Sequence, residues 1–536
     1  MFENCKGKWT SDLGNGSYKN PILFADYSDP DAIRVWDDFF MTASSFTYFP
    51  GLPILHSKDL VNWKLVSYAA EKLPFKNYDT PQHGKGVWAP AIRYHDGTFF
   101  ITFSAPDEGL FVVKTKDPFG KWDDVILQKE AKGWIDPCPF WDDDGQAYIV
   151  RGVARSRSGL KSQLFLHKMT PDGEKLLDEG VRIYDGRVHN PTIEGPKMYK
   201  RNGYYYIFSP AGGVKPGWQV VLRSKNIYGP YEHKIVLQQG ETLINGPHQG
   251  ALIDMENGES WFLHFRDCDG YGRMTYLEPA KWTEDNWIEM GIDVDNDGIG
   301  EPVETYKKPV AGGEVLTPVT SDEFKDNKLG LQWQWQAHAN KDFYEINSET
   351  LRLFSFPVAG EGLLTDAPNL LSQLMQAPNF TIDTKVSLNL EDGDEAGICI
   401  TGGSFYAVRV ENNGGKLSLS QANYFYDGKD RPEEITETKE LSDTKEIYLR
   451  IKMEYRYKKL FFSLKDFYNP DKEYSGLGAF ITFYYSEDGE NFEKFGSEVE
   501  YKVSKKSWVG GRCGLFCVNR EGKKGGYADF DYVRFG

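Results

Sequence analysis

Residues 136–152 read DPCPFWDDDGQAYIVRG: an acid, a Pro, an alternating strand, an Asp-Gly turn and a second, aromatic strand. The same phrase opens at Asp29 (DPDAIRVWDDFFMTASS), Ala89 (APAIRYHDGTFFITFSA), Glu194 (EGPKMYKRNGYYYIFSP) and His248 (HQGALIDMENGESWFLHF). Period-2 alternation broken by a turn such as His95-Asp96-Gly97 or Asn202-Gly203 marks a β-hairpin. The starts lie 60, 47, 58 and 54 residues apart. A unit of that length holding several short strands is the size of a propeller blade. A second echo keeps the same phase: HSKDLVNW from His56, KTKDPFGKW from Lys114 and RSKNIYGPY from Arg223. Five units therefore predict a five-bladed β-propeller in an all-β chain with almost no helix.

The innermost strand of a blade lines the central channel, so the residues that open each phrase share one funnel. This alignment puts Asp29, Asp136 and Glu194 in register, beside the Trp88-Ala89 segment and His248. One such acid alone would cap a turn; three in phase with one repeat point to a shared site. Converging carboxylates suit hydrolysis of a glycosidic bond, where one ionised group activates a water and one protonated group releases the leaving oxygen. The short Asp29 suits the water and the longer Glu194 the leaving oxygen. Asp136, by like-charge repulsion, would keep Glu194 protonated.

After Trp282 the phrase stops, and a Pro/Gly-rich stretch, PVAGGEVLTPV, ends at Val319. The expected division is a propeller over 1–308, a linker over 309–320 and a second all-β domain over 321–536. Alternating runs such as TLRLFSF from Thr350, FTIDTKVSLNL from Phe380 and EIYLRIKMEY from Glu446 make that second domain a jelly-roll or concanavalin-like β-sandwich.

The composition agrees. A chain of 536 residues with 40% hydrophobic content supports two or three cores. A net charge of −17 argues against nucleic acid and anionic membrane as partners and is compatible with a neutral glycan. Six cysteines, at 5, 138, 268, 399, 513 and 517, form no CxxC pair, so neither a disulfide framework nor a zinc site is expected. There is no apolar run of membrane-spanning length. MFENCKGKWTSDLG lacks a signal-type apolar stretch, which places the chain in the cytoplasm as written, and in the periplasm or outside the cell if a leader has been trimmed. Oligomeric state is not set by these features.

The segments NPILFADYSDPDAIRV, WAPAIRYHDG, WIDPCPFWDDDG, TIEGPKMYK and GRMTYLEPAKW resemble glycoside hydrolase family 43. The C-terminal half is similar to the sandwich that accompanies its β-xylosidase and α-L-arabinofuranosidase members. The resemblance implies Asp29 as general base, Asp136 as pKa modulator and Glu194 as general acid, acting with inversion. It implies an exo-acting enzyme that takes pentose-containing oligosaccharides and releases L-arabinofuranose, D-xylose or both. Arg273, in the GR motif, would bond pentose hydroxyls, and Trp88 and Phe46 would wall the pocket. The loop SSFTYFPGLPILHSKDL around Phe46 is that of exo-acting members. His248 matches a channel histidine that holds water or calcium. No cofactor is required; a structural calcium is expected, if anywhere, near His248 or at Glu323 and Asp531. One departure is Lys197 where relatives carry His, with no expected effect on the chemistry. DVDNDGIGEPVE, from Asp293 to Glu304, matches the EF-hand spacing, but without helical flanks it reads first as a solvated acidic loop. The competing reading is a non-catalytic carbohydrate-binding propeller with a lectin-like tail. The opening of invertase-type enzymes and the Asp-boxes of sialidases are both absent from the sequence.

Overall fold

The computed structural model describes residues 8–536 except 348, 359–361, 430, 442–443, 462–472, 506 and 508. Cys5 and most of the polar N-terminal stretch therefore lie outside the described residues. Five four-stranded antiparallel sheets follow one another along the chain, each built in sequence order from the channel outward. The first comprises Asp31–Val35, Asp38–Thr42, Gly51–Ser57 and Trp63–Ala70. Inner strands Trp88–His95, Trp134–Trp141, Lys197–Arg201 and His248–Asp254 begin the other four. The expected five-bladed propeller is the observed fold, and the helices among the described residues are short.

Local chemistry explains each blade. Asp96-Gly97 and Asn202-Gly203 both adopt the paired positive φ that a tight two-residue hairpin demands. Aromatic and branched side chains alternate inward and pack blade against blade. Ile54, Phe99, Ile101 and Phe111 join the first two blades, and Val150, Leu166, Ile207 and Leu222 join the third and fourth. The ring closes through the N-terminal segment. Asn20 accepts the Leu277 N–H and donates to the carbonyls of Leu277 and Val303. Strand Ser17–Lys19 pairs with Thr305–Lys307.

Two eight-stranded sheets form the sandwich. Their facing strands bury Ile382, Val386, Ile398, Val408, Ile451 and Phe530 in one core. The stretch between the domains is not loose. Lys308 is buried in ion pairs with Asp12 and Asp59, and Leu316 N–H bonds Asn62. Main chain joins the domains directly: Phe49 and Trp335 exchange N–H···O bonds of 2.8 and 2.7 Å, and His338 N–H bonds the Tyr78 carbonyl.

Candidate active site

Each inner strand starts with a kink. Bulges fall between Trp88 and Ala91, Ile135 and Cys138, and His248 and Gly250. At that kink the backbone enters the left-handed region at Asp29 (φ 52), Ala89 (34), Asp136 (56), Gly195 (56) and Gln249 (40). The recurrence corrects the sequence alignment. Gly195, not Glu194, is the counterpart of Asp29 and Asp136, and Glu194 stands one step earlier, level with Trp88 and His248. The Pro that follows the kink at 30, 90, 137 and 196 carried this register in the sequence. A left-handed non-glycine residue costs about 1 kcal/mol or more. Blade packing holds the kinks, which turn side chains from two adjacent positions into the channel.

All seven residues singled out in the sequence line one cleft of about 340 Å³: Asp29, Phe46, Trp88, Asp136, Glu194, His248 and Arg273. Asp29 is buried, and both of its oxygens are bonded. Oδ1 accepts Arg273 Nη1 at 3.0 Å and Oδ2 accepts the Ser44 hydroxyl at 2.7 Å. Ser44 is itself fixed by the Ala89 N–H at 2.7 Å. Glu194 contrasts with this: its side chain is 31% exposed, and its Oε1 lies 3.3 Å from His248 Nε2. Asp136 Oδ2 accepts the Gly195 N–H at 2.7 Å and Gln249 Nε2 at 3.4 Å. Burial pushes the Asp136 carboxyl well above the usual aspartate range, helped by the charges of Glu194 and Asp29 and opposed by the Gly195 N–H and Lys197. Asp136 thus keeps its proton to higher pH than a solvated carboxyl would.

The Lys197 expectation needs correction. The side chain is fully buried, its ammonium donates to the Pro90 carbonyl at 3.0 Å, and its charge acts on Asp136. Phe46 is fixed by a two-way main-chain bridge to Val87 and packs with Tyr48, Trp88 and Val509 of the sandwich. The second domain therefore packs against a side chain of the cleft wall.

Calcium is held by several hard oxygen ligands. Glu323 forms a two-point pair with Arg534, and Asp531 pairs with Lys385. At His248 the ring is buried, with Nε2 3.3 Å from Glu194 Oε1 and no hydrogen-bond partner for Nδ1 among the described residues. Among the described residues the one trio of ligand oxygens within 4.8 Å of each other is Asp293, Asp295 and Asp297. Glu304, the last position of the EF-hand spacing, is exposed and outside that trio.

Sequence reading missed Ser44, Asp26, Gln249 and the loop from Ala154 to Ser162 on the opposite rim. For Ser44 a partial signal existed: fifteen residues after the kink stands Ser in two units, at 44 and 104, while the fourth unit has Pro210 there. Asp26 and the rim loop carry no such mark.

A five-bladed propeller with a carboxylate funnel at one mouth, completed by a lectin-like sandwich, defines a class of carbohydrate-active enzymes. The family model for glycosyl hydrolases family 43 matches residues 18–288, and that for the beta xylosidase C-terminal concanavalin A-like domain matches 321–478 and 477–536. This chain belongs to glycosyl hydrolase family 43. It is 42% identical over 417 residues to a Xylanibacter ruminicola protein named as a beta-xylosidase, covering 77% of this chain and 76% of the relative. It is 29% identical to a non-reducing end alpha-L-arabinofuranosidase of Bacteroides ovatus, over 83% of this chain and 85% of that one. A solved structure described as a Bacteroides ovatus xyloglucan GH43B superposes with a TM-score of 0.78 at 25% identity, covering 97% and 99% of the two chains.

Proposed function

We propose that this glycoside hydrolase, exo-acting, releases L-arabinofuranose, D-xylose or both from the non-reducing ends of plant cell-wall oligo- or polysaccharides, with inversion. The observation that carries the mechanism is the unequal holding of the two carboxylates on the cleft. Asp29, with both oxygens bonded, is aimed beside Arg273, as a group that must direct one water at the anomeric carbon requires. Glu194, a third exposed and held by few contacts, reaches the leaving oxygen and donates its proton there, while Asp29 takes the proton of the attacking water. Asp136, whose own carboxyl is pushed well above the usual aspartate range by burial and by the charges of Glu194 and Asp29, completes the acidic cluster. Arg273 and the rings of Phe46 and Trp88 grip the terminal pentose, since sugar C–H faces pack on aromatic rings and hydroxyls accept from guanidinium. No step is drawn through a metal.

The relatives named as beta-xylosidases and as an alpha-L-arabinofuranosidase support both sugars as products. A charge of −17 supports a neutral glycan partner rather than nucleic acid or an anionic membrane. The binding-only reading is disfavoured because the three acids meet in one cleft. Turnover of p-nitrophenyl β-D-xyloside and α-L-arabinofuranoside by wild type and Glu194→Ala tests the reading. Failure of the wild type on both, or equal rates for the variant, removes it. NMR of the first-formed sugar tests inversion: a retained anomer would rule out water activation by Asp29.

A further inference from the structure

Asp26 sits three residues before Asp29, buried at the seam between the domains. Its Oδ1 accepts the Arg273 main-chain N–H at 2.8 Å and the Ser28 hydroxyl at 2.9 Å. Its Oδ2 accepts the N–H of Gly510, in the sandwich, at 2.7 Å. Both propeller partners lead to Asp29. Arg273 places its guanidinium on Asp29 Oδ1. The Ser28 carbonyl accepts the Ser44 N–H at 2.8 Å, and the Ser44 hydroxyl donates to Asp29 Oδ2. One buried carboxylate thus stands at the root of both clamps on Asp29, and its remaining oxygen is committed to the other domain.

We propose that Asp26 is a positioning residue for Asp29, and that through the Gly510 N–H the sandwich domain takes part in aiming it. This rests on the reading of Asp29 as the base. The packing supports it. Gly272, at φ +83, approaches so closely that a Cβ there would lie 2.4 Å from Asp26 Cγ. A Cβ on Gly510 would lie 2.5 Å from the Gly272 nitrogen and the Tyr271 carbonyl carbon. Gly511 N–H bonds the Gly270 carbonyl at 2.9 Å, adding a second rung beside Asp26. The segment that presents Arg273 is therefore clasped between Asp26 and the sandwich. A carboxylate fits where an amide does not. Donors converge on both oxygens, so an Asn side chain would turn its own NH2 toward a main-chain N–H. Charge-assisted bonds of this kind are the strong ones, and they fix direction.

The test compares full-length Asp26→Asn, Gly510→Ala, Asp29→Asn and Arg409→Ala, the last a sandwich substitution remote from the seam. kcat and KM are measured on the p-nitrophenyl substrate the wild type turns over, and D-xylose sites per chain are counted by calorimetry. For Asp26→Asn and Gly510→Ala, kcat falls about 10²-fold, the loss expected from a misplacement of about 1 Å, while KM stays within about threefold. The D-xylose site count holds at one per chain, and Arg409→Ala keeps wild-type kcat. If Asp26→Asn fails to fold, Gly510→Ala, which retains the carboxylate, decides alone. An inactive Asp29→Asn beside unchanged kcat in the seam variants overturns the positioning role. So does a site count that falls in step with kcat, which marks a merely structural effect. An active Asp29→Asn instead removes the base assignment, and the inference with it.

Discussion

The two ends of the cleft are built on opposite plans. At the Asp29 end both carboxylate oxygens are bonded, and the bonding partners Arg273 and Ser44 are themselves anchored by main chain. At the Glu194 end the carboxylate is 31% exposed and close to the ring of His248. A group that directs a water has one productive orientation and gains from rigidity. A group that carries a proton out to a leaving oxygen must follow that oxygen as it departs. The contrast predicts different sensitivities at the two ends.

The largest effect is expected at the rigid end. Asp29→Asn lowers kcat about 10⁴-fold, for poor and good leaving groups alike, because the attacking water must be activated whatever the aglycone. At the mobile end the loss depends on the leaving group. Glu194→Ala costs about 10³-fold on a xylo-oligosaccharide and about tenfold on a p-nitrophenyl glycoside, whose leaving group departs without a proton. Equal losses on both substrates would break the comparison.

Asp136 links the ends. Asp136→Asn removes the buried carboxyl that accepts the Gly195 N–H beside Glu194, and kcat falls about 10²-fold. Stability responds in the opposite sense. Because the folded carboxyl titrates above its ordinary value of 3.8, its stabilising contribution is whole below that value and is lost as pH rises. Asp136→Asn, which cannot ionise, therefore melts above the wild type at neutral pH. The gap closes as pH falls toward 3.8 in thermal scans. A gap that widens at low pH would show that the lost hydrogen bonds outweigh the charge.

Smaller effects lie away from the acids. Phe46→Ala raises KM about tenfold, roughly 1.4 kcal/mol of stacking, with kcat little changed. Arg409 is buried among Glu395, Glu411 and Glu433 inside the sandwich. Arg409→Ala leaves those carboxylates without their cation and lowers stability by about 3 kcal/mol in denaturant titration, while kcat holds. That result would separate the sandwich interior from the seam at Gly510.

The propeller was legible because a repeat writes one local pattern many times, and alternation, hairpin turns and spacing are all local properties. Of the seven cleft residues, the repeat phase falls on Asp29, Trp88, Asp136, Glu194 and His248, and the family-like motifs alone supplied Phe46 and Arg273. The step between Glu194 and Gly195 was misjudged because the shared acid outweighed the Pro register. Lys197 was dismissed because a strand position does not say how deeply a side chain is buried or what lies beneath it. The clamp on Asp29 was largely hidden: Asp26 and Gly510 are 484 positions apart, and no periodicity joins them.

By itself, then, the sequence determined the blades, the order of the domains and the presence of three acids at one mouth of the channel, since these follow from short-range pattern. The tertiary structure alone decided which acid is held and which is free. Burial, a neighbouring charge and a hydrogen bond from another domain act through space, and the chain records them at positions that have no reason to look alike.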